Sequence, residues 1–375
     1  MVKKTQTQQM LKTNEKTKKT RKTNEGDIPR APIVTGSMCT GMDMDMLAWE
    51  EPDFQGVPVV HAFGADNDKH CRAFIRENFP NLQMVFDDAT SKEFMRNAPS
   101  CDVLSAGFPC PGFSVAGNHL GIADPRSVVL HDIIAYVRKY VPKLVILENV
   151  KGLLDNHGKF FLALIKLLKH IKEDGTPAYW VHWKVLNSMQ YGGVPQHRER
   201  IYIVCTKKLP NHDTSPFKWP EPVIPTSLEG LFDADGPKLS TYSNYPLPPT
   251  SRTVMRHHVK QVLHKALSVF RGSEERLLKV PMIIHGGGSK PHWHMDKCMT
   301  ITKTHAMNKT YWSLQHGRPL TTTELARLQG VMRTDRLNFS VISERQMNGR
   351  IGNAYTLTVY KAVLLAGLQA CGLMP

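Results

Sequence analysis

Cys110 is the residue of this sequence best placed to act as a nucleophile. It follows the apolar run 102–106, which alternates, is too short for a helix and so predicts a buried strand. Pro109 and Pro111 on either side exclude a helix or a paired strand, which holds the thiol on a stiff loop. Ligands bind at such strand ends in open parallel sheets. A buried structural cysteine is the alternative interpretation, and the flanking prolines argue against it.

Acid–base groups stand at the ends of two further predicted strands. Glu148 and Asn149 end the apolar run 144–150, and Arg198 and Arg200 come just before a third strand. A thiol, a carboxylate and two guanidiniums at neighbouring strand ends would form one site. That combination suits nucleophilic attack assisted by a positioned proton donor.

Three segments, in this order, resemble the hallmarks of the C5-cytosine DNA methyltransferase family. They are Phe-Pro-Cys at 108–110, Glu-Asn-Val at 148–150 and Gln-x-Arg-x-Arg at 196–200. The match runs from about Pro32 to the C-terminus, and several ordered motifs are far more specific than one. The resemblance implies transfer of a methyl group from S-adenosylmethionine to C5 of a flipped-out cytosine in DNA, through a covalent Cys110 intermediate.

The resemblance also implies roles for the strand-end residues. The Cys110 thiolate would add at C6 of the base, and Glu148 would donate a proton towards N3. Asn149 and Arg200 would fix the carboxyl group and the base, and Arg198 completes the predicted catalytic set.

Two rival functions stay open at this stage. An RNA methyltransferase of the same fold would use the same chemistry, but its Pro-Pro-Cys site and Cys-Phe-Thr element are absent from this sequence. A catalytically silent DNA-binding relative could keep the fold after losing cofactor binding. The intact Cys110, Glu148, Arg198 and Arg200 weigh against that second alternative.

The first strand and turn, residues 33–42, occupy the place of the family's cofactor loop. Glycine is favoured there because a backbone without Cβ can approach the cofactor. The family pattern Phe-x-Gly-x-Gly reads Ser37-Met-Cys39-Thr-Gly41, so a serine and a cysteine replace two of its members. Asp66, after the second strand, is predicted to accept hydrogen bonds from the ribose.

Asp88 matches the family acid that contacts the adenine amino group, with Asp87 as the alternative. Near the C-terminus, Arg350-Ile-Gly-Asn353-Ala354 resembles the segment Gln-x-Gly-Asn-Ser that closes the cofactor site, although Arg350 and Ala354 depart from it. The predicted cofactor residues are Ser37, Met38, Cys39, Thr40, Gly41, Asp66, Asn67, Asp88, Ala89, Pro109, Asn353 and Ala354.

Composition restricts the class of protein. The 375 residues carry 48 Lys+Arg against 33 Asp+Glu, a net charge of +15, which suggests a polyanionic partner such as nucleic acid. Seven cysteines without Cys-x-x-Cys pairs favour a reducing compartment. No run is long and apolar enough to span a membrane. His292, His294 and Cys298 lack a fourth ligand at the usual zinc spacing, so we predict no metal site.

The alternation of short apolar strands with helical patterns predicts an α/β fold with a doubly wound, mostly parallel, Rossmann-like sheet. Residues 1–30 hold nine Lys/Arg and three acids, and we expect a disordered basic tail. Residues 31–206 would form the catalytic domain, 207–318 a smaller target-recognition domain, and 319–375 a return segment that completes the first.

Residues 207–312 are rich in proline and carry fifteen Lys/Arg against eight Asp/Glu, which favours contact with phosphates. The expected partner is double-stranded DNA, with no obligate protein partner. The tail is compatible with a nuclear address in a eukaryotic host, and a cytoplasmic location is expected otherwise. The predicted DNA-binding residues are Ser114, Arg126, Arg252, Arg256, Lys290 and Lys303.

Overall fold

Short, buried apolar segments form the strands of the protein. The computed structural model describes residues 31–109, 125–210, 213–233, 239 and 245–375. The strands are β1 Ile33–Met38, β2 Val59–Ala65, β3 Met84–Phe86, β4 Val103–Gly107, β5 Leu144–Val150, β6 Lys172–Glu173, β7 Thr176–Pro177, β8 Tyr179–Asn187, β9 Glu199–Lys207, β10 Met282–His285, β11 His292–Met295, β12 Tyr311–Ser313 and β13 Arg318–Pro319.

Helices alternate with the first five strands, as the βα rhythm of the sequence predicts. They are α1 Met44–Trp49, α2 Lys69–Asn78, α3 Lys92–Asn97, α4 Pro125–Tyr140, α5 Gly152–Asp155, α6 Gly158–Lys169, α7 Ser188–Tyr191, α8 Thr253–Val269, α9 Glu274–Lys279, α10 Lys303–Met307, α11 Thr322–Leu328, α12 Glu344–Asn353 and α13 Leu357–Ala370. A capping box begins α11: the Thr321 hydroxyl accepts the backbone N–H of Glu324, and the Glu324 carboxylate accepts the backbone N–H of Thr321.

Seven strands make the central sheet in the order β3-β2-β1-β4-β5-β9-β8. The strands β1 to β5 run parallel, whereas β9 is antiparallel to both of its neighbours. Helices α1 and α13 pack on one face, and α4 and α6 pack on the other. This is the doubly wound, mostly parallel sheet that the sequence predicts, and the strand order reverses between β1 and β4. Ligands bind at such a switch point.

A smaller antiparallel sheet, β11-β10-β12-β13, lies within residues 282–319. Helices α8 and α9 bury their apolar faces against it, with Val259, Leu277 and Ile284 fully buried. Residues Ile33–Pro375 form a compact unit. The smaller sheet falls inside the predicted recognition interval, and the exact boundaries of that interval stay a prediction.

Close packing explains why residue 36, in the middle of β1, is a glycine. A Cβ there would lie 2.3 Å from the ring of Phe63 on β2, and the register between the two strands shifts at Thr35 and Gly36. A side chain at residue 36 would therefore displace the buried Phe63 ring. These two strands lead into the turns that line the site.

The turn after β1 is left-handed at three positions. Cys39, Gly41 and Asp43 have φ of 54°, 59° and 53°. Glycine adopts this backbone freely, whereas an L side chain is strained in it by about 1 kcal/mol or more. At Asp43 a hydrogen bond offsets part of this strain, because the carboxylate accepts the Met46 N–H and caps α1. A glycine at residue 39, as in the family pattern, would therefore adopt this backbone without strain.

Cys39→Gly should raise the free energy of unfolding by about 1 kcal/mol, because it relieves a left-handed side chain. Cys39→Ala is the matched control, since it removes the thiol but keeps the strain. Urea denaturation measures both. An equal gain from the two variants would attribute the effect to the thiol instead of the backbone.

Candidate active site

A cavity of about 680 Å³ lies at the carboxyl ends of β1, β2, β4 and β5. Ten of the twelve predicted cofactor residues line it: Cys39, Thr40, Gly41, Asp66, Asn67, Asp88, Ala89, Pro109, Asn353 and Ala354. Ser37 and Met38 do not line it, since both are buried in β1 below the turn. Its volume is in the ordinary range for a site that takes a cofactor-sized molecule.

Thr40 and Ser37 hold the turn to the neighbouring strand. The Thr40 hydroxyl donates to the Ala65 carbonyl at 3.0 Å and accepts the Ala65 N–H at 2.8 Å. The Ser37 hydroxyl lies 3.0 Å from that of Thr40 and donates to Asp43 at 3.4 Å. Ser37 thus supports the turn from below, where the family pattern has an aromatic residue.

Asp66 closes the turn from the β2 side. Its two carboxylate oxygens accept the N–H groups of Gly41 and Asp68, each at 2.8 Å. Burial raises the pKa of Asp66, and the two backbone hydrogen bonds oppose that shift. Each oxygen retains a second lone pair that can accept a hydroxyl. Asp66 is therefore fixed in position and still able to bind a ribose.

The structure separates the two candidates for the adenine contact. Asp88 lines the cavity, and one oxygen accepts the N–H and hydroxyl of Thr90 at 2.8 and 2.9 Å. Asp87 is mostly exposed and pairs with Arg72 and Arg76 at 2.9 and 3.6 Å. Of the two, Asp88 is the carboxylate that faces the cavity.

Cys39 exposes part of its side chain to the same cavity. Burial, together with the nearby carboxylates of Asp66 and Asp88, raises the pKa of its thiol to about 12. The thiol is neutral at physiological pH and unsuited to act as a nucleophile.

Glu148 lies near the carboxyl end of β5 and lines the cavity with only 8% of its surface exposed. Its Oε1 lies 3.1 Å from Nε of Arg200, an ion pair without a well-aligned hydrogen bond. Burial raises the pKa of Glu148, and Arg200 and Arg198 oppose the shift. A buried carboxyl group with a raised pKa keeps its proton to higher pH than a free glutamate, which suits a proton donor.

Asn149 connects β5 to the segment before Cys110. Its Nδ2 donates to the Phe108 carbonyl at 3.0 Å, and its Oδ1 accepts the Val150 N–H at 2.8 Å. Both ends of the amide thus bind the backbone. Asn149 positions the Phe108–Pro109 segment, and this geometry does not place it on a base.

Arg198 is almost fully buried, with 1% of its surface exposed. Its terminal nitrogens donate to the carbonyls of Ile301 at 2.5 Å and Ala354 at 2.6 Å, and more weakly to that of Gly352 at 3.4 Å. Burial lowers the pKa of Arg198 to about 9, so it stays a cation at neutral pH. Arg198 is a positioning residue that joins distant segments behind the site.

Three predicted residues cannot be placed fully. Cys110 and Ser114 lie outside the described residues. Arg126 lies in α4, but its side chain is also outside them. Pro109, the last described residue before Cys110, lines the cavity, and so does Glu148, which pairs with Gly107 of β4 across the sheet.

The predicted phosphate-binding cations fall into different environments. Arg252 donates to the carbonyls of Asn308 and Lys309, and Arg256 donates to that of Pro248. Both therefore make intramolecular contacts with at least part of the guanidinium. Lys290 is exposed beside a run of glycines, while Lys303 lines the cavity beside Arg350.

Sequence reasoning missed two charged residues of the cavity, Asp68 and Arg350. They form an ion pair at 2.5 Å, and Asp68 also caps α2 by accepting the His70 N–H. The departure of Arg350 from the family glutamine was the available signal, because a charge that replaces an amide needs a counter-ion. No cluster of His, Cys, Asp and Glu in the described part of the chain could hold a metal ion.

Comparisons with known proteins identify the family of this chain. The sequence model of the C-5 cytosine-specific DNA methylase family matches residues 33–367. The Type II methyltransferase M.PspPI of Psychrobacter sp. is 29% identical over 310 residues, which cover 80% of this chain and 71% of that enzyme. M.HpaII of Haemophilus parainfluenzae is 36% identical over 162 residues, 43% of each chain.

A solved structure shares the fold. The Entamoeba histolytica methyltransferase EhMeth superposes with a TM-score of 0.61 at 14% identity, over 92% of this chain and all of that one.

The expected nuclear address finds no support in the curated relatives, which are bacterial enzymes. Within the described residues, the helices include none that is long and apolar enough to cross a membrane. The ordered motifs, the mostly parallel sheet and the family match over 33–367 agree with one another. This chain belongs to the C-5 cytosine-specific DNA methylase family.

Proposed function

We propose that this chain transfers a methyl group from S-adenosylmethionine to C5 of a cytosine in double-stranded DNA. The observation that carries the proposal is Glu148. A buried, cavity-facing carboxyl group with a raised pKa stands at the end of β5, beside the Arg200 guanidinium. The same cavity contains the two carboxylates suited to a nucleoside, Asp66 and Asp88.

The lining residues fit S-adenosylmethionine. Asp66 has lone pairs for the ribose hydroxyls, and Asp88 has a carboxylate oxygen for the adenine amino group. The lining carboxylates Asp66 and Asp88 also give the cavity negative charge, which suits a cationic sulfonium. When bound, the cofactor supplies an electrophilic methyl group.

The chain's own residues would activate the cytosine. The Cys110 thiolate forms a bond to C6, and the negative charge that develops towards N3 is met by the proton of Glu148. C5 then takes the methyl group and a base removes the C5 proton. The C6–S bond breaks to release the thiolate, and the proton on N3 returns to Glu148. Arg200 orients the Glu148 carboxyl from 3.1 Å.

Access to the base requires that it leave the helix. C5 and C6 of a stacked cytosine cannot reach a cavity at the end of a sheet, so we infer that the base flips out. The net charge of +15 favours binding to the phosphates, and exposed Lys290 beside its glycine run is a candidate contact.

Plasmid DNA from cells that express the wild-type chain should contain 5-methylcytosine in a defined sequence context, since recognition and chemistry are on one polypeptide. Bisulfite sequencing measures both together. Cys110→Ser is the matched control and should give the background of the host. Equal protection of cytosines from bisulfite by both proteins would exclude Cys110 as the nucleophile. Stronger methylation of RNA than of duplex DNA would identify RNA as the substrate instead.

Glu148→Gln should lower the turnover number by roughly a hundredfold or more, because it removes a positioned proton donor. The wild-type rate should fall as pH rises through the raised pKa of Glu148, since the protonated form is the active one, and the variant should lack that limb. Single-turnover methylation of duplex DNA across pH measures both effects. A variant with wild-type turnover would assign the proton transfer to another group.

A further inference from the structure

The positively charged residues of the cavity lie at one corner, on the neighbouring helices α10 and α12. Among its described lining residues, the only cations are Lys303 and Arg350. The carboxylate of Asp68 pairs with Arg350 at this corner, and Asp66, Asp88 and Glu148 also line the cavity. S-adenosylmethionine has the complementary pattern, because its sulfonium and amino groups are cationic and its one anion is the α-carboxylate. An anion in this cavity is electrostatically favoured near the two cations.

Backbone packing puts Lys303 in this corner. Gly352, near the end of α12, would place a Cβ 2.6 Å from the Thr302 carbonyl carbon and 2.7 Å from the Lys303 nitrogen. Only glycine allows that approach, and Arg198 fastens the same two segments through the Ile301 and Ala354 carbonyls. Lys303 is exposed and makes no ion pair within the described residues. Its ammonium group is therefore available to a ligand.

Arg350 supplies the second cation. It projects from the last turn of α12, one turn before Asn353, and is 8% exposed. One terminal nitrogen pairs with Asp68 at 2.5 Å, and Nε is buried without a hydrogen-bond partner in the described residues. Leaving a buried guanidinium nitrogen unpaired is costly. The second terminal nitrogen makes no hydrogen bond to the described residues, so Arg350 keeps a terminal N–H donor for a ligand.

We propose that Lys303 and Arg350 bind the α-carboxylate of the cofactor. The inference rests on the proposed cofactor and names the subsite for its amino-acid end. Lys303 makes the direct ion pair, and Arg350 adds a terminal N–H donor held in place by Asp68. The role of Lys303 thereby moves from a DNA phosphate to the cofactor, and the family glutamine is replaced by a charged contact.

The test compares two ligands that differ only in the carboxylate, S-adenosylhomocysteine and its decarboxylated analogue S-adenosyl-3-thiopropylamine. Isothermal titration calorimetry on the full chain gives the Kd of each. For the wild type, the first ligand should bind roughly tenfold or more tightly than the second, as expected for a charge-assisted contact. Lys303→Gln and Arg350→Gln should each remove most of that ratio while changing the Kd of the analogue less than threefold.

Two controls keep the result specific. Lys297→Gln removes an exposed charge from the same region and should leave the ratio unchanged. Arg350→Lys retains the charge and should preserve part of the preference. Thermal unfolding of each variant checks the fold. If Arg350→Gln fails to fold, the ligand ratio of Lys303→Gln tests the subsite, because that substitution breaks no ion pair within the described residues.

Failure of the carboxylate subsite and failure of the proposed cofactor would give different results. A wild type that binds both ligands equally, or variants that weaken both ligands by the same factor, would overturn the carboxylate subsite and leave the cofactor in place. A Lys303→Gln variant that loses affinity for duplex DNA but keeps the ligand ratio would return Lys303 to phosphate binding. A wild type that binds neither ligand would overturn the proposed cofactor together with the subsite.

Discussion

The buried guanidinium of Arg198 is the interaction on which one wall of the cavity depends. It is surrounded by protein and satisfies carbonyls of Ile301, Gly352 and Ala354, groups 103 to 156 residues away along the chain. A buried cation is stable only while its hydrogen bonds are made, so its loss would leave both the charge and the carbonyls unpaired. The wall formed by Lys303, Arg350, Asn353 and Ala354 is assembled around this one group.

The acidic residues of the cavity differ in burial and in hydrogen bonding, and these differences suit them to different roles. Glu148 is deep, has no well-aligned hydrogen bond to Oε1, and has a raised pKa, which suits a proton donor. Burial also raises the pKa of Asp66, but two backbone N–H groups donate to its carboxylate and hold it as a hydrogen-bond acceptor. Asp68 pairs with Arg350 and positions that cation. The same chemical group is thus suited to act as acid, acceptor or anchor, because its surroundings differ.

The sequence predicts what depends on local pattern. The alternation of strands with helices and the doubly wound, mostly parallel sheet follow from local patterns of residues, and the structure confirms them. The choice between Asp87 and Asp88 was left open, because it depends on which side chain meets Arg72. The structural ties of Arg198 and Arg252 were not foreseen, since their acceptors are carbonyls distant in sequence and have no side-chain signature. The place of Lys303 depends on a backbone contact at Gly352, which only the folded chain reveals.

The central claim is that this chain methylates cytosine through a covalent bond from Cys110, and trapping that bond tests it most directly. A duplex that contains 5-fluorocytosine cannot lose the C5 substituent, so the thiolate should remain attached once the methyl group has been transferred. With S-adenosylmethionine present, the wild type should form a complex with this duplex that survives denaturing electrophoresis, whereas Cys110→Ser should form none. An adduct of equal yield from the serine variant, or no adduct from a wild type that methylates ordinary DNA, would contradict the account.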